Sequence, residues 1–516
     1  MNFISSTNDI RSYLGIKSSE KNIEFSKIST DTRSIEKGSL FIAIKGPNFD
    51  GNDFIEKAFE KGAVAVLCSD EYYKDNDVNI YQNAIIYVPS VRKALIQIAT
   101  DICDKFAGKK ILITGSNGKT TCTYLLGNSL TDASTTIGNY NNEIGLPLSI
   151  MQSDKDSKYL VMEAGAGKPG DISTLSKIMK PDIGIITSIS ESHTQALTNL
   201  DGVFLEKTSV IDHIPENGYL IMNFDFIEAR NNGFDKNEDL LKRLEKNAKK
   251  NQINLINVCE ESKNALSNIY YNDDLSTMYF SIAIKNQKGY SIEDWETALV
   301  GAQNVKNIVL IRKVLETLNE EYSRFHSLLD YTSDRINRLT HHKWKNGSHL
   351  IDDTYNANPD SLFFAINLLS NAPKVTTSHD INVDPPTIKY RRRILILGDM
   401  LELNDPIKTH RNIGKKIHQG IDDYFESYRE EHELLIDFDV LITFGKLSGV
   451  LSQSIIEQGI KINGPVLEIF SFADGRNSVE EDGEEKRLKN FLNEFIKKDD
   501  IVIIKGSRGM RMERFI

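Results

Sequence analysis

The chain is short of the features that would place it in a membrane, a disulfide scaffold or a nucleic-acid complex. Its 516 residues include four cysteines, Cys68, Cys103, Cys122 and Cys259. They show no CxxC or other metal spacing, so reduced structural thiols are expected rather than a disulfide frame or a cysteine-built zinc site. No apolar run approaches the ~20 residues that span a bilayer. The opening Met1-Asn2-Phe3-Ile4-Ser5-Ser6 lacks a basic region followed by an apolar core. A cytoplasmic protein without membrane insertion is expected. Basic charge is also scarce: 62 Lys and Arg against 73 Asp and Glu give a net charge of −11. That balance argues against a nucleic-acid partner, but an anionic ligand could still be held by a local loop. No internal repeat is visible.

What is present is apolar material, 40% of residues, enough for about three domains on a prior of ~150 residues each. Residues 1–108 carry the strand-like runs FIAIKG (Phe41 to Gly46), AVAVLC (Ala63 to Cys68) and AIIYVP (Ala84 to Pro89) around a helical pattern at Phe54 to Lys61, a small α/β unit. From Lys110, the apolar runs ILIT, YLVMEAG (Tyr159 to Gly165), IGIITSI (Ile183 to Ile189) and YLIMN (Tyr219 to Asn223) alternate with helical patterns. Continuous apolar strands between helices predict a doubly wound parallel sheet of the phosphate-loop type over residues 109–337. A third alternating block, Rossmann-like α/β, begins near Arg338 and runs through HLIDDTYN, RILILGDM, VLITFG and IVIIKGSRG to residue 516. Lys374 to Arg392 and Ser471 to Lys486, the latter with an acidic run at Glu480 to Glu485, read as solvated surface loops. Lys236 to Asn251 reads as an exposed helix of mixed charge.

The most informative segment is TGSNGKTT, Thr114 to Thr121, between the apolar ILI stretch and the helix-like CTYLL. A tight Gly-rich turn between a strand and a helix aims backbone N–H groups and the positive end of the helix dipole at one spot, where phosphate fits. Gly115, Ser116, Asn117, Gly118 and Thr121 would form the cradle. Lys119 would reach the β- and γ-phosphates and Thr120 would offer its hydroxyl to Mg²⁺. The usual G-x-x-x-x-G-K-[ST] pattern would need glycine at position 113, where this chain has Ile113. Glu163, at the carboxyl end of a neighbouring strand, is a candidate Mg²⁺ ligand, and His193 follows the next strand on the same rim. Read singly, Glu163 could equally be a helix cap and His193 a surface loop residue.

Four strings then carry a resemblance: TIGNYNNEIGLPLSI (Thr136 to Ile150), DDTYNANPDS (Asp352 to Ser361), LGDMLEL (Leu397 to Leu403) and KGSRGMRME (Lys505 to Glu513). Together with STDTRSIEKGSLFIAIKGPNFDG (Ser29 to Gly51), they make the chain similar to the Mur ligases of cell-wall peptide synthesis over nearly its whole length. Within that family it most resembles the type that joins D-alanyl-D-alanine to UDP-N-acetylmuramoyl-tripeptide. The resemblance implies an ATP-dependent amide ligase working through an acyl phosphate, with small-molecule substrates; a monomer is the default expectation, because a hinge between domains needs free domain motion. An activated acyl group is what the chemistry requires, since a carboxylate is inert toward amines until its oxygen can leave.

Carried onto matching positions, the resemblance implies that Thr120 and Glu163 hold one Mg²⁺ and that His193 holds a second. Lys207, carbamylated by CO₂, would support the second ion; read by itself it is a solvated helix residue. Asn304 and Asn307, in GAQNVKN, would lie near the adenine, although both also suit capping of the helix that follows. Arg338 and Asp353 would reach the phosphate and ribose from the third domain, so that domain closure accompanies binding. Thr32, Arg33, Lys45, Gly46, Asp50 and Gly51, with Asn139, Asn141 and Asn142, would contact the UDP substrate. Asn356, Asn358, Lys505 and Ser507 are the candidates for the dipeptide side. Gln303, Asn52, Gly167, Ser188 and Asn337 depart from the family pattern, with Arg335 a rival for the role of Arg338. These departures touch the fit around the adenine and the choice of amino substrate. Two other readings use the same residues: another Mur-like ligase, adding a diamino acid or building pseudomurein, and a nucleotide-binding homologue without turnover.

Overall fold

The computed structural model describes residues 2–17, 21–70, 84–190, 197, 199–224, 238–266, 268–286, 289–329, 339–378, 387–419, 437–459, 468–472 and 481–516. The architecture is α/β and falls into successive sheets. The first is a four-stranded parallel sheet in the order β1-β2-β3-β4, formed by Lys27–Ser29, Ser39–Ile42, Ala63–Ser69 and Ile85–Val88. The expected strand Phe41 to Gly46 is shorter than its apolar run, because the chain turns at Lys45 and Gly46 and returns to pair Lys45 with Asp50.

The central sheet comprises β5 (Lys109–Thr114), β6 (Ala133–Thr135), β7 (Tyr159–Glu163), β8 (Ile183–Ile186), β9 (Tyr219–Met222) and β10 (Asn254–Asn257). Its order is β10-β9-β8-β5-β7-β6, all parallel. The strand carrying the phosphate loop therefore lies between β7, which ends at Glu163, and β8, and both neighbours release their chain on the same rim. Ile111, Leu112 and Ile113 are fully buried, as a strand covered by helices on both faces requires. Appended to this sheet is an antiparallel meander that the apolar pattern did not reveal: β11 (Tyr270–Tyr271), β12 (Met278–Asn286) and β13 (Gly289–Thr297).

The third sheet contains β14 (Thr340–Lys343), β15 (His349–Asp353), β18 (Arg393–Gly398), β19 (Val440–Phe444), β20 (Glu468–Phe472) and β21 (Ile501–Lys505), in the order β14-β15-β21-β18-β19-β20. All its pairs are parallel except β14 with β15. Within the stretch read as a solvated loop, β16 (Val375–Ser378) and β17 (Thr387–Tyr390) pair as an antiparallel ribbon. The acidic run is likewise not all loop: Glu481 opens the helix Glu481–Phe495. Carboxylates in a first turn offset the positive end of the helix dipole, so an acidic cluster starts a helix as readily as it solvates a loop. Lys236 to Asn251 does contain a helix, Glu238–Lys250. Among the described residues, no helix is long and apolar enough to cross a membrane.

Candidate active site

Two glycines shape the loop after β5. Gly115 has φ 152° and Gly118 has φ 86°, both positive, where L side chains are strained. Space forbids a side chain as well: a Cβ on Gly115 would lie 1.9 Å from Thr187 Oγ1, and one on Gly118 would lie 2.4 Å from Asn307 Oδ1. Gly118 then caps the helix Lys119–Ser129 without a side-chain bond.

The loop is anchored to the exit of β8. Ser116 N–H donates to the Ser188 carbonyl at 2.8 Å, and Asn117 N–H donates to Ser188 Oγ at 2.9 Å. Thr187 Oγ1 and Ser188 Oγ both donate to the Asn117 carbonyl. Ser188, a departure from the family pattern, thus holds the loop backbone. With those N–H groups engaged on the β8 side, the first turn of the helix still aims backbone amides, among them Thr120 and Thr121, at the place where an anion would sit. Lys119 Nζ folds over the loop and donates to the Gly115 carbonyl at 2.8 Å and the Ser116 carbonyl at 3.3 Å.

Glu163 is buried at 3% exposure. Thr120 Oγ1 donates to its Oε2 at 3.0 Å, and Asn141 Nδ2 donates to its Oε1 at 2.8 Å. Asn141, expected against the UDP substrate, is therefore a carboxylate holder in this structure. Asn142 closes its own turn by accepting from Gly145 N–H at 2.9 Å, and Asn139 is exposed outside the cavity lining. Lys207, on the helix Leu200–Thr208, is 1% exposed, far from the solvated residue its sequence context suggests. Burial drives its ammonium well below the ordinary lysine range, and the positive charge of Lys119 adds to the shift against the weaker pull of Glu206.

Asn304 and Asn307 are buried near the start of the helix Ala302–Leu318. Neither side chain caps that helix, whose N-cap is Gly301. Asn304 Nδ2 donates to the Val300 carbonyl at 2.8 Å, and Asn307 Nδ2 donates to Asn304 Oδ1 at 3.2 Å. Gln303 donates to Asn307 Oδ1 at 3.3 Å, which sets that oxygen beside Gly118.

The third sheet supplies the opposite wall. Asp353 ends β15, and Lys505, ending the adjacent β21, donates to Asp353 Oδ2 at 2.5 Å and to the Asn356 carbonyl at 3.0 Å. Ser507 Oγ accepts from Leu401 N–H at 2.9 Å and donates to the Ala357 carbonyl. Asn358 caps the helix Pro359–Ser370 and reaches the phosphate loop itself, its Nδ2 donating to Asn117 Oδ1 at 2.8 Å.

These walls enclose a cavity of about 720 Å³, within the range of ligand-sized clefts. The lining brings together Lys119, Thr120, Glu163, Lys207, Asp353 and Lys505. Arg92, from the helix Val91–Lys105, joins them and pairs with Glu143 at 2.8 Å. Sequence reading missed it, since an arginine one residue into an amphipathic helix carries no local signal. Of the first-domain residues assigned to the UDP substrate, Thr32, Arg33, Lys45, Gly46, Asp50 and Gly51, none lines this cavity. Lys45 pairs with Asp50 at 3.3 Å, and Arg33 with Asp31 at 2.7 Å. A Cβ on Gly51 would meet Ile44 N at 2.5 Å. His193 and Arg338, with Arg335 and Asn337, lie outside the described residues.

The Mur ligase middle-domain model matches residues 113–312, and the Mur ligase family catalytic-domain model matches residues 24–102. A UDP-N-acetylmuramoyl-tripeptide–D-alanyl-D-alanine ligase of Buchnera aphidicola subsp. Baizongia pistaciae is 30% identical over 407 residues, covering 77% of this chain and 79% of its own. The ligase of that name from Bacillus subtilis is 28% identical and covers 95% of this chain and 92% of its own. Among solved structures, MurF from Acinetobacter baumannii shares the fold with a TM-score of 0.71 at 21% identity, covering 99% of this chain and 97% of that one. MurF ligase from Thermotoga maritima, solved in complex with ADP, has a TM-score of 0.66 at 23% identity, covering 95% and 96%. With sequence relationship running through all three sheets and the phosphate loop at their centre, the chain belongs to the Mur ligase family.

Proposed function

We propose that this chain is an ATP-dependent amide ligase joining D-alanyl-D-alanine to UDP-N-acetylmuramoyl-tripeptide, in peptidoglycan precursor synthesis. One observation carries the reading: a single cavity has the phosphate loop on one side and the third sheet on the other, in a chain whose relatives bear that ligase's name. Residues 1–108 would hold the UDP substrate, 109–337 the ATP and 338–516 the dipeptide.

In this reading a carboxylate oxygen of the tripeptide attacks the γ-phosphorus, the bond to the β–γ bridging oxygen breaks, and ADP leaves. The dipeptide amine then attacks the acyl carbon and gives up its proton. Phosphate departs with the former carboxylate oxygen. The first-turn amides and Lys119 hold and align the phosphates, which is most of what phosphoryl transfer asks of a protein. The buried wall keeps water from the acyl phosphate.

The donor set suits Mg²⁺: a hydroxyl and a buried carboxylate, both hard oxygen donors, with Thr120 Oγ1 and Glu163 Oε2 3.0 Å apart. Bound there, the ion would supply charge neutralisation to the phosphates. His193 and Lys207 are the proposed holders of a second ion. Burial shifts Lys207 toward the neutral amine, the form that attacks CO₂, and the carbamate would convert Lys207 to an oxygen ligand. Use of ATP and four buried, unbridged cysteines support a cytoplasmic setting, and a monomer is the proposed state.

The test is the mass of the product formed from ATP, Mg²⁺, UDP-N-acetylmuramoyl-tripeptide and D-alanyl-D-alanine. A product heavier by the dipeptide, formed by wild type and lost by at least about a hundredfold in Lys119→Ala, supports the reading. Turnover only with a diamino acid, or with none of the amines offered, contradicts it.

A further inference from the structure

Away from the cavity, the third sheet meets the central meander at a cluster of side chains that the ligase chemistry does not use. His341 on β14 and His349 on β15 lie on the same face of an antiparallel pair, since His341 faces Ile351 and His349 faces Lys343. Their rings are 5.5 Å apart between centroids. Asp274, in the turn between β11 and β12, completes the group: one ligand atom from each of the three lies within 4.8 Å of the others.

We infer that Asp274, His341 and His349 form a binding site for a single Zn²⁺ or similar imidazole-binding divalent ion, which clips the central meander to the edge of the third sheet. His349 Nδ1 is buried and makes no hydrogen bond among the described residues. It sits 3.7 Å from Asp274 Oδ2, too far for a hydrogen bond. Two ligands of one tetrahedral zinc, at about 2.0–2.2 Å from the metal, are separated by about 3.4 Å. The observed gap therefore needs to close by only a few tenths of an ångström. Two imidazoles and a carboxylate form a donor set that suits zinc and its first-row neighbours, with a fourth position left to water.

The site is also built in advance. Asp274 Oδ1 is occupied by the Ser276 N–H at 3.0 Å and hydroxyl at 2.6 Å, which leaves Oδ2 turned to the histidines. Its turn is closed by Asn272 accepting from Thr277 N–H at 2.9 Å, and it is anchored by the fully buried Leu275. The strand ladder sets His349, whose N–H donates to the Asp500 carbonyl at 2.8 Å. At 16% and 32% side-chain exposure, His349 and Asp274 remain reachable by an ion. Arg391, which donates to the Asp273 carbonyl, joins the same two lobes here. His349 and Asp353 begin and end one strand, so an ion would fasten the lobes at the end of β15 remote from the cavity.

The test uses the full chain, stripped with chelator and then given Co²⁺ in a large excess of Mg²⁺ that fills the oxygen sites. Expected are about one Co²⁺ per chain with the ligand-field absorption of a nitrogen-ligated, low-symmetry site, and a rise in melting temperature when Zn²⁺ replaces it. Asp274→Asn and His349→Ala should each weaken the ion by at least about tenfold, while Glu163→Gln leaves it in place. Should His349→Ala fail to fold, His341→Gln keeps the ring volume more closely and serves the same comparison. No Co²⁺ retained against Mg²⁺, retention unaffected by these variants, or loss on Glu163→Gln overturns the inference.

Discussion

The side-chain amide of Asn358 donates to Asn117 Oδ1 at 2.8 Å, joining the first capped helix of the third sheet directly to the phosphate loop. The same side chain accepts from Ser361 N–H at 2.8 Å as a helix cap. Asn358→Ala should therefore lose about 1 kcal/mol of stability from the cap and also raise the KM for ATP. Asn358→Asp keeps a capping oxygen but sets a carboxylate against Asn117 Oδ1. It should recover the melting temperature and not the KM. An unchanged KM in both variants would separate the contact from nucleotide binding.

Gly118 and Gly449 make a contrasting pair. Gly118→Ala combines a φ of 86° with a Cβ 2.4 Å from Asn307 Oδ1 and should cost about 1–3 kcal/mol, together with ATP binding. Gly449, inside the helix Lys446–Glu457, has nothing within 4 Å of a Cβ. Gly449→Ala should leave stability unchanged or raise it by about 0.5–1 kcal/mol. Denaturant melts and nucleotide titrations of the two variants check both statements.

Burial of Lys207 gives stability a defined slope with pH. Its folded pKa lies below the unfolded value of 10.5, so between the two the unfolded chain binds the extra proton. Stability contributed by this group falls as pH drops through that window and rises as pH climbs back. In CO₂-free buffer without nucleotide, Lys207→Met should raise the melting temperature at neutral pH and flatten its pH dependence; with ATP, Mg²⁺, bicarbonate and both substrates supplied, it should abolish ligation. With ¹³C-labelled bicarbonate, wild type should show a carbamate signal that Lys207→Met lacks.

Burial also protects the thiols. It pushes Cys68 and Cys103 up to about 12 and Cys122 higher still. Near neutral pH their thiolate fraction is minute, so maleimide labelling of the native chain at these positions should be slow and should become rapid in denaturant. Fast native labelling mapped to any of the three by mass spectrometry would contradict their placement.

The phosphate loop was legible because its signal is local: strand, glycines, lysine and helix follow one another from Ile111 to Leu126. The three-block α/β plan was legible for the same reason. Contacts between distant segments were not. Nothing near Asn141 announces that it holds Glu163, and nothing near Asn358 announces Asn117, since each partner is brought in by sheet packing. The meander β11–β13 escaped because its strands have polar alternation and lie beside a parallel sheet whose continuous apolar runs dominate the pattern. Lys207 looked solvated because its helix flanks are mixed, while its burial depends on the cavity wall.

Acyl-phosphate formation is tested most directly by following oxygen. With both oxygens of the acceptor carboxylate labelled as ¹⁸O, and ATP and D-alanyl-D-alanine supplied, the inorganic phosphate released should carry one ¹⁸O per turnover. Its mass spectrum would show a single-label shift, absent in Lys119→Ala. Unlabelled phosphate released along with the ligated product would mean that the carboxylate never bonded to the γ-phosphorus.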